Sequence, residues 1–249
     1  MADSPLEQFV IKPIAEMSIG GLDVTFTNSS LMMVIVVSLV VLFMSGGMRK
    51  NALVPGRWQM MVEMTYELVA NMVKENVGKE GKAYFPFIFT LFMFVLGCNL
   101  LGMVPYSFTV TSHIIVTFAL AAVVFVGVTL IGFFKHGFGF LKLFVPSGTP
   151  LWLLPLIVLI ELVSYLVRPI TLSVRLCANM LAGHLMMKIF AGFVVGLGSL
   201  GVLGVFGAVV PFTVNVLLTG LEFLVAALQA YVFAILTCIY LNDALHPSH

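Results

Sequence analysis

Eight polar side chains in the last hundred residues stand out from a setting that is otherwise almost wholly apolar: Glu161, Arg168, Arg175, Asn179, His184, Glu222, Gln229 and Tyr240. Glu161, Arg168 and Arg175 recur every seven residues, and Asn179 follows four later. At about 100° per residue these positions share one side of a helix, so a polar stripe runs along an apolar rod. Glu222 and Gln229 are likewise seven apart and share a face of a second helix, with Tyr240 further along it. A charge at bilayer depth costs roughly 2.5–3.5 kcal/mol on insertion scales, so such groups normally face protein or water and mark an ion or substrate route. His184 lies nine residues past Arg175, on roughly the opposite side of a straight helix, and does not extend the arginine stripe.

Composition sets the solvent in which this chemistry takes place. The chain has 249 residues, 61% hydrophobic and 9% charged, with a mean hydropathy of +1.13. A soluble domain carries about 25% charged residues, so a polytopic membrane protein is expected, with a single membrane domain over 1–249. A formal charge of +1 gives no argument for nucleic acid or an acidic substrate. Cys98, Cys177 and Cys238 fall in apolar runs and read as buried free thiols, with no metal site or cofactor expected. The start, MADSPLEQFVIKPIAEMS, has no basic stretch leading into an apolar one, and a cleaved signal peptide is not expected.

The elements that must position these residues follow from the apolar runs. Residues 1–28 form an outer N-terminal segment, and the NSS at 28–30 is the expected cap of a first span over 31–48. From 57 to 80 an amphipathic helix is expected in the membrane interface. Its one face carries Trp58, Met61, Val62, Leu68, Val69, Met72 and Val73, and the other Glu63, Glu67, Asn71 and Lys74. Residues 84–134 read as a helical hairpin of two spans joined by Pro105–His113, followed by a turn at 146–150. Two apolar tracts remain, 151–193 and 205–241, separated by GLGSLGVLG. Each is about twice the length that ~30 Å of hydrocarbon requires, so each is either two spans or one steeply tilted helix. No polar turn interrupts either, which favours a hairpin of two long tilted helices over 151–241, and five spans in all.

Eight of the twelve basic residues (Arg49, Lys50, Arg57, Lys74, Lys79, Lys82, Lys135 and Lys142) lie in two linking regions, and the 105–113 and 196–204 links have none. The basic regions mark the cytoplasmic or matrix side, with the N-terminus outside and the C-terminus inside. In an antiparallel hairpin His184 and Glu222 then approach each other near the outside. Arg175 stands in the middle and Glu161 near the inside, a pattern of two offset half-paths rather than one pore. Residue chemistry alone leaves structural roles open as well. These are an interhelical ion pair between Arg175 and Glu222, a hydrogen-bonded core His184, Asn179 and Gln229 as helix ties, and Glu161 at a water-reached helix end. Arg168 is expected to snorkel or to pair with Glu161. Asn99, Tyr240 and His113 read as packing residues.

The runs ELVSYLVRPITLSVRLCANMLAGH at 161–184, ALQAYVFAILTCIYL at 227–241 and LLGMVPYSFTVTSH at 100–113 resemble subunit a of F-type ATP synthases, and the likeness covers most of the chain. The resemblance implies a non-catalytic membrane stator that exchanges protons with the carboxylates of a rotating ring of c subunits. It also implies b subunits of the peripheral stalk and other ATP synthase subunits as partners. By position, Arg175 matches the essential arginine facing the ring, Asn179 the asparagine one turn on, and Gln229 the glutamine opposite. His184 and Glu222 match the outer half-channel pair, with acid and imidazole exchanged relative to one familiar bacterial version, as in mitochondrial and related bacterial proteins. Glu161 matches an acidic residue of the inner half-channel, while Arg168 and Tyr240 are given minor parts. The implied location is the bacterial inner (plasma) membrane, with the mitochondrial inner membrane as the alternative. A stand-alone secondary transporter or ion channel is the rival reading, but it predicts a broken-helix site near the midplane and preferably an internal repeat, and neither is evident. An intramembrane hydrolase lacks a recognisable HExxH or GxSxG motif.

Overall fold

The computed structural model describes residues 10–16, 18–19, 22–23, 25–48, 55–104, 107–145 and 153–246. The expected turn at 146–150, the basic pair at 49–50 and the ends 1–9 and 247–249 lie outside them, as does the side chain at 142. The fold is all-α apart from short antiparallel pairings near the N-terminus. There β1 (Pro13–Ala15) pairs with β4 (Phe26–Thr27), and β2 (Ser18–Ile19) with β3 (Leu22–Asp23). Six α-helices follow: α1 (Asn28–Gly47), α2 (Arg57–Asn76), α3 (Phe85–Gly102), α4 (Ile114–His136), α5 (Leu154–Gly198) and α6 (Val202–Leu245). All but α2 are long and apolar enough to cross a membrane, which makes five spanning helices. In hydrocarbon every backbone N–H and C=O must be satisfied within the protein, and a helix does this within one segment.

One expectation needs correction. The cap of α1 is not the NSS run, because the helix already begins at Asn28. Ser30 donates its backbone N–H to Thr27 Oγ1 at 3.4 Å. The Asn28 side chain instead holds the preceding strand segment, donating to the Val10 carbonyl and accepting from Lys12 N–H, each at 3.2 Å. The expected amphipathic helix is present as α2, and the chain itself covers part of its apolar stripe. Val62, Val69, Met72 and Val73 are buried, whereas Trp58, Met61 and Leu68 are exposed. Met61 and Leu68 sit on the flank of the arc centred on Val62 and Val69, so the chain's own core covers only part of the stripe. The remainder is apolar surface left for lipid or a partner.

The chain divides into two compact units. The first comprises 1–42, 93–113 and 176–230; the second comprises 43–92, 114–175 and 231–249. The long helices α5 and α6 therefore give their joined halves to the first unit and their remaining halves to the second.

Of the two alternatives for the last hundred residues, each tract is one continuous helix, of 45 and 44 residues. Pro169 and Pro211 are accommodated within them. In the first unit the helices meet across a link of three residues, Ser199 to Gly201. Gly201 has φ +89°, a backbone conformation that suits glycine. A Cβ at Gly204 would run into the Leu197 carbonyl oxygen, so the reversal depends on bare backbone there too. Contacts then step down the pair in antiparallel order: Met187 with Thr219 at 3.5 Å, His184 with Glu222 at 3.2 Å, and Asn179 with Gln229 at 2.9 Å. Asn99 of α3 is fully buried and donates from Nδ2 to the Ala226 carbonyl of α6 at 3.1 Å.

In the second unit Tyr165 anchors α5 against α4 and the 3-10 segment Gly137–Phe144. Its hydroxyl lies 2.7 Å from Thr129 Oγ1, and its ring packs within 5.0 to 6.3 Å of Phe125, Phe144 and Phe140. Lys135, in the last turn of α4, pairs with Glu80, and His136 Nε2 lies 2.9 Å from the Leu245 carbonyl oxygen.

Candidate functional site

His184 and Glu222 form an enclosed ionisable pair in the first unit, with 5% and 4% of their surfaces exposed. His184 Nδ1 stands 3.2 Å from Glu222 Oε1. Their approach needs the glycine beside the histidine, since a Cβ at Gly183 would lie 2.6 Å from Glu222 Oε1. On the other edge of the imidazole, Thr109 Oγ1 lies 2.8 Å from Nε2. Thr109 comes from the 107–113 segment after α3, whose Ser112 carbonyl also accepts from Cys177 Sγ of α5 at 2.9 Å. The α3–α4 connection is thus folded onto α5 beside the histidine, and Phe108 and His113 stack within it at 4.9 Å. Further along the same pair of helices, Asn179 Nδ2 donates to Gln229 Oε1 at 2.9 Å. The Gln229 Nε2 is buried with no hydrogen-bond partner among the described residues.

The second unit holds Glu161, Arg168, Arg175 and Tyr240. Arg168 does not pair with Glu161. Its Nη1 donates to Asp243 Oδ2 at 3.0 Å, and its guanidinium carbon lies 4.8 Å from the Tyr240 ring centroid and 5.3 Å from that of Tyr165. Seven residues along a helix is about 10 Å, beyond easy reach, whereas α6 presents Asp243 directly to Arg168. Tyr240 accordingly serves as an aromatic face for Arg168. Glu161 is half-buried, two turns before that cluster.

Arg175 contrasts with Arg168, seven residues before it on the same helix. It is exposed, and it makes no hydrogen bond or ion pair with any described residue. Thr171, one turn before it on the same side of α5, is exposed as well, and the exposed aliphatic residues Val174, Ile170 and Val167 lie to the flank. The structure therefore presents a bare guanidinium on the exposed side of α5 rather than in the core. Among the described residues no three His, Cys, Asp or Glu side chains gather as a metal cage.

Sequence reasoning missed Thr109 and Asp243. Neither stands out by type or spacing, because each owes its place to a contact between elements far apart in the chain. Lys188, one turn past His184 on α5, was also passed over, though a lysine inside an apolar tract is itself a signal.

Residues 30–242 match the family described as ATP synthase A chain. The chain belongs to that family. Among curated family relatives, ATP synthase subunit a of Parvibaculum lavamentivorans is 61% identical over 98% of this chain and 94% of its own length. The protein of the same name from a Chelativorans species is 61% identical over 100% of both. That of Rhizobium etli is 60% identical over 99% of both. Family membership and five helices fit to span a bilayer make this a multi-pass membrane protein.

Proposed function

We propose that this chain is the proton-conducting stator subunit of a bacterial F-type ATP synthase, set in the plasma membrane against a ring of c subunits, b subunits of the stalk and the other subunits of that enzyme. The observation that carries the reading is Arg175, charged, exposed and without an ion-pair partner among the described residues, on a helix flanked by exposed aliphatic side chains that lipid or another chain would cover. Lipid is a costly cover for a guanidinium, and an acidic partner chain is a favourable one. A ring carboxylate facing lipid must be neutral, whereas within about 4–6 Å of Arg175 its pKa drops by 1–3 units and it ionises. Arginine keeps its proton at any physiological pH, so no proton crosses directly from one half-path to the other. Each must travel on the ring, which couples a drive of about 2.3 kcal/mol per proton per 100 mV to rotation.

The buried His184–Glu222 pair loads or unloads protons on the outer side, and Glu161 does so on the inner. Asn179 and Gln229 hold α5 to α6 beside the arginine. Arg168 and Tyr240 stabilise the inner part of the hairpin and take no direct part in transfer. The chain itself catalyses no bond chemistry in this scheme.

The decisive variant is Arg175→Ala in the assembled enzyme. ATP-driven proton pumping by inverted membrane vesicles is expected to fall to background, with the complex still assembled. Pumping at the wild-type rate overturns the role of Arg175, and proton transport by the purified chain alone overturns the stator reading.

A further inference from the structure

We propose that Thr109 is a positioning residue that sets the tautomer of His184, so that Nδ1 is the atom that takes the proton from Glu222. The proposal rests on the proton-path reading above. Thr109 is fully buried, with Oγ1 2.8 Å from His184 Nε2 and 3.3 Å from the Gly102 carbonyl oxygen. A hydroxyl has one proton, and a carbonyl can only accept. Toward Gly102 the hydroxyl is the only possible donor, whereas toward Nε2 it can take either part; with its proton placed on Gly102, as proposed, the same oxygen acts as acceptor toward His184. His184 Nε2 must then carry hydrogen. In a neutral imidazole this leaves the lone pair on Nδ1, the nitrogen 3.2 Å from Glu222 Oε1.

Glu222 completes the arrangement. Its two carboxylate oxygens are buried and accept no hydrogen bond among the described residues, so an isolated ionised form is costly. With His184 neutral the carboxyl is protonated. Transfer breaks the Glu222 O–H bond and forms an Nδ1–H bond, giving a carboxylate beside an imidazolium, and the reverse step restores both neutral groups. The Nε2–H to Thr109 bond persists throughout, so the ring does not have to turn. With the other tautomer Nδ1 would already carry hydrogen and could not accept. The other titratable neighbours are Lys188, whose charge acts on His184 from one turn along α5, and His113 in the segment that carries Thr109.

The test uses the assembled ATP synthase in liposomes, with ¹⁵N-labelled histidine and the His184 signal assigned by its loss in His184→Ala. Nitrogen NMR is expected to show the Nε2–H tautomer in the wild type and in Thr109→Ser. Thr109→Val, which keeps shape but neither hydrogen bond, is expected to populate Nδ1–H. Its ATP-driven pumping should fall about tenfold, the factor carried by one hydrogen bond of ordinary net strength, with serine restoring most of the rate. An Nδ1–H tautomer in the wild type overturns the proposal, even if Thr109→Val fails to assemble. So does Thr109→Val with tautomer and rate unchanged; slow pumping in His184→Ala would then leave the proton-path reading standing. A tautomer shift with full pumping in both Thr109→Val and His184→Ala overturns that reading, and the role of Thr109 with it.

Discussion

Two arginines seven residues apart on one helix take opposite roles, and what each one touches decides which. Arg168 has a carboxylate at 3.0 Å and two tyrosine rings beside it, with side-chain exposures of 20% for Arg168 and 26% for Asp243. Arg175 has none of these among the described residues. An ion pair this poorly exposed to water is expected to tie α5 to α6. Asp243→Ala should lower the stability of the complex by about 1–2 kcal/mol through loss of a charge-assisted hydrogen bond. Complexes that do assemble should still pump protons. Thermal unfolding and pumping measured on one preparation check this, and lost pumping in an intact complex would move Arg168 into the proton path. Leucine at both positions should recover part of the stability, since no unpaired charge is then left behind.

At the scale of elements, the proposed half-paths depend on two helices held in one register. A 45-residue helix is roughly 68 Å long, more than twice the hydrocarbon layer, so tilt lets both helices remain in lipid over most of their length. Their register is set at the three-residue link, where Gly201 takes a positive φ and Gly204 passes against the Leu197 carbonyl. Gly201→Ala is expected to cost about 1–2 kcal/mol for a left-handed alanine. Gly204→Ala should be worse, because backbone rather than a flexible side chain must move. Immunoblots of membranes should show less of the chain for Gly204→Ala than for Gly201→Ala. Equal wild-type levels for both would mean that the link does not set the register.

On the scale of the whole molecule, the spans carry exposed apolar residues: Phe134, Val195, Phe206 and Leu217 are each at least 69% exposed, as befits a chain bathed in lipid. Charge pairing is left to the edges of the spans. There Lys135 lies against Glu80 and holds its carboxyl below the ordinary value of 4.5, mainly through the hydrogen bond, with the lysine charge adding to it. A lowered carboxylate pKa contributes stability in full above the unfolded value, and that contribution is lost as pH falls through the folded value. The stability difference between wild type and Glu80→Gln should therefore be constant from about pH 7 to pH 5 and shrink below that. Added salt should also diminish it, both side chains being well exposed to solvent. A difference that grows on acidification would overturn the pairing.

The apolar tracts and the polar stripe at 161–179 are determined by the sequence alone, whereas the continuity of each of the last two helices was decided by the structure. A run of apolar residues in lipid has little choice but to be helical, and sevenfold spacing then puts its polar residues in line. The approach of His184 to Glu222 follows from an antiparallel hairpin, but the partners of Arg168 and of His184 Nε2 were decided only by tertiary structure. Asp243 reaches Arg168 because α6 runs beside α5, and Thr109 reaches His184 because the 107–113 segment folds back onto the helix. The capping of α1 by Thr27 and the partial burial of the α2 stripe were settled the same way. Hydrogen bonds between distant segments leave no periodic trace in a sequence, whereas hydrophobic burial along one helix does.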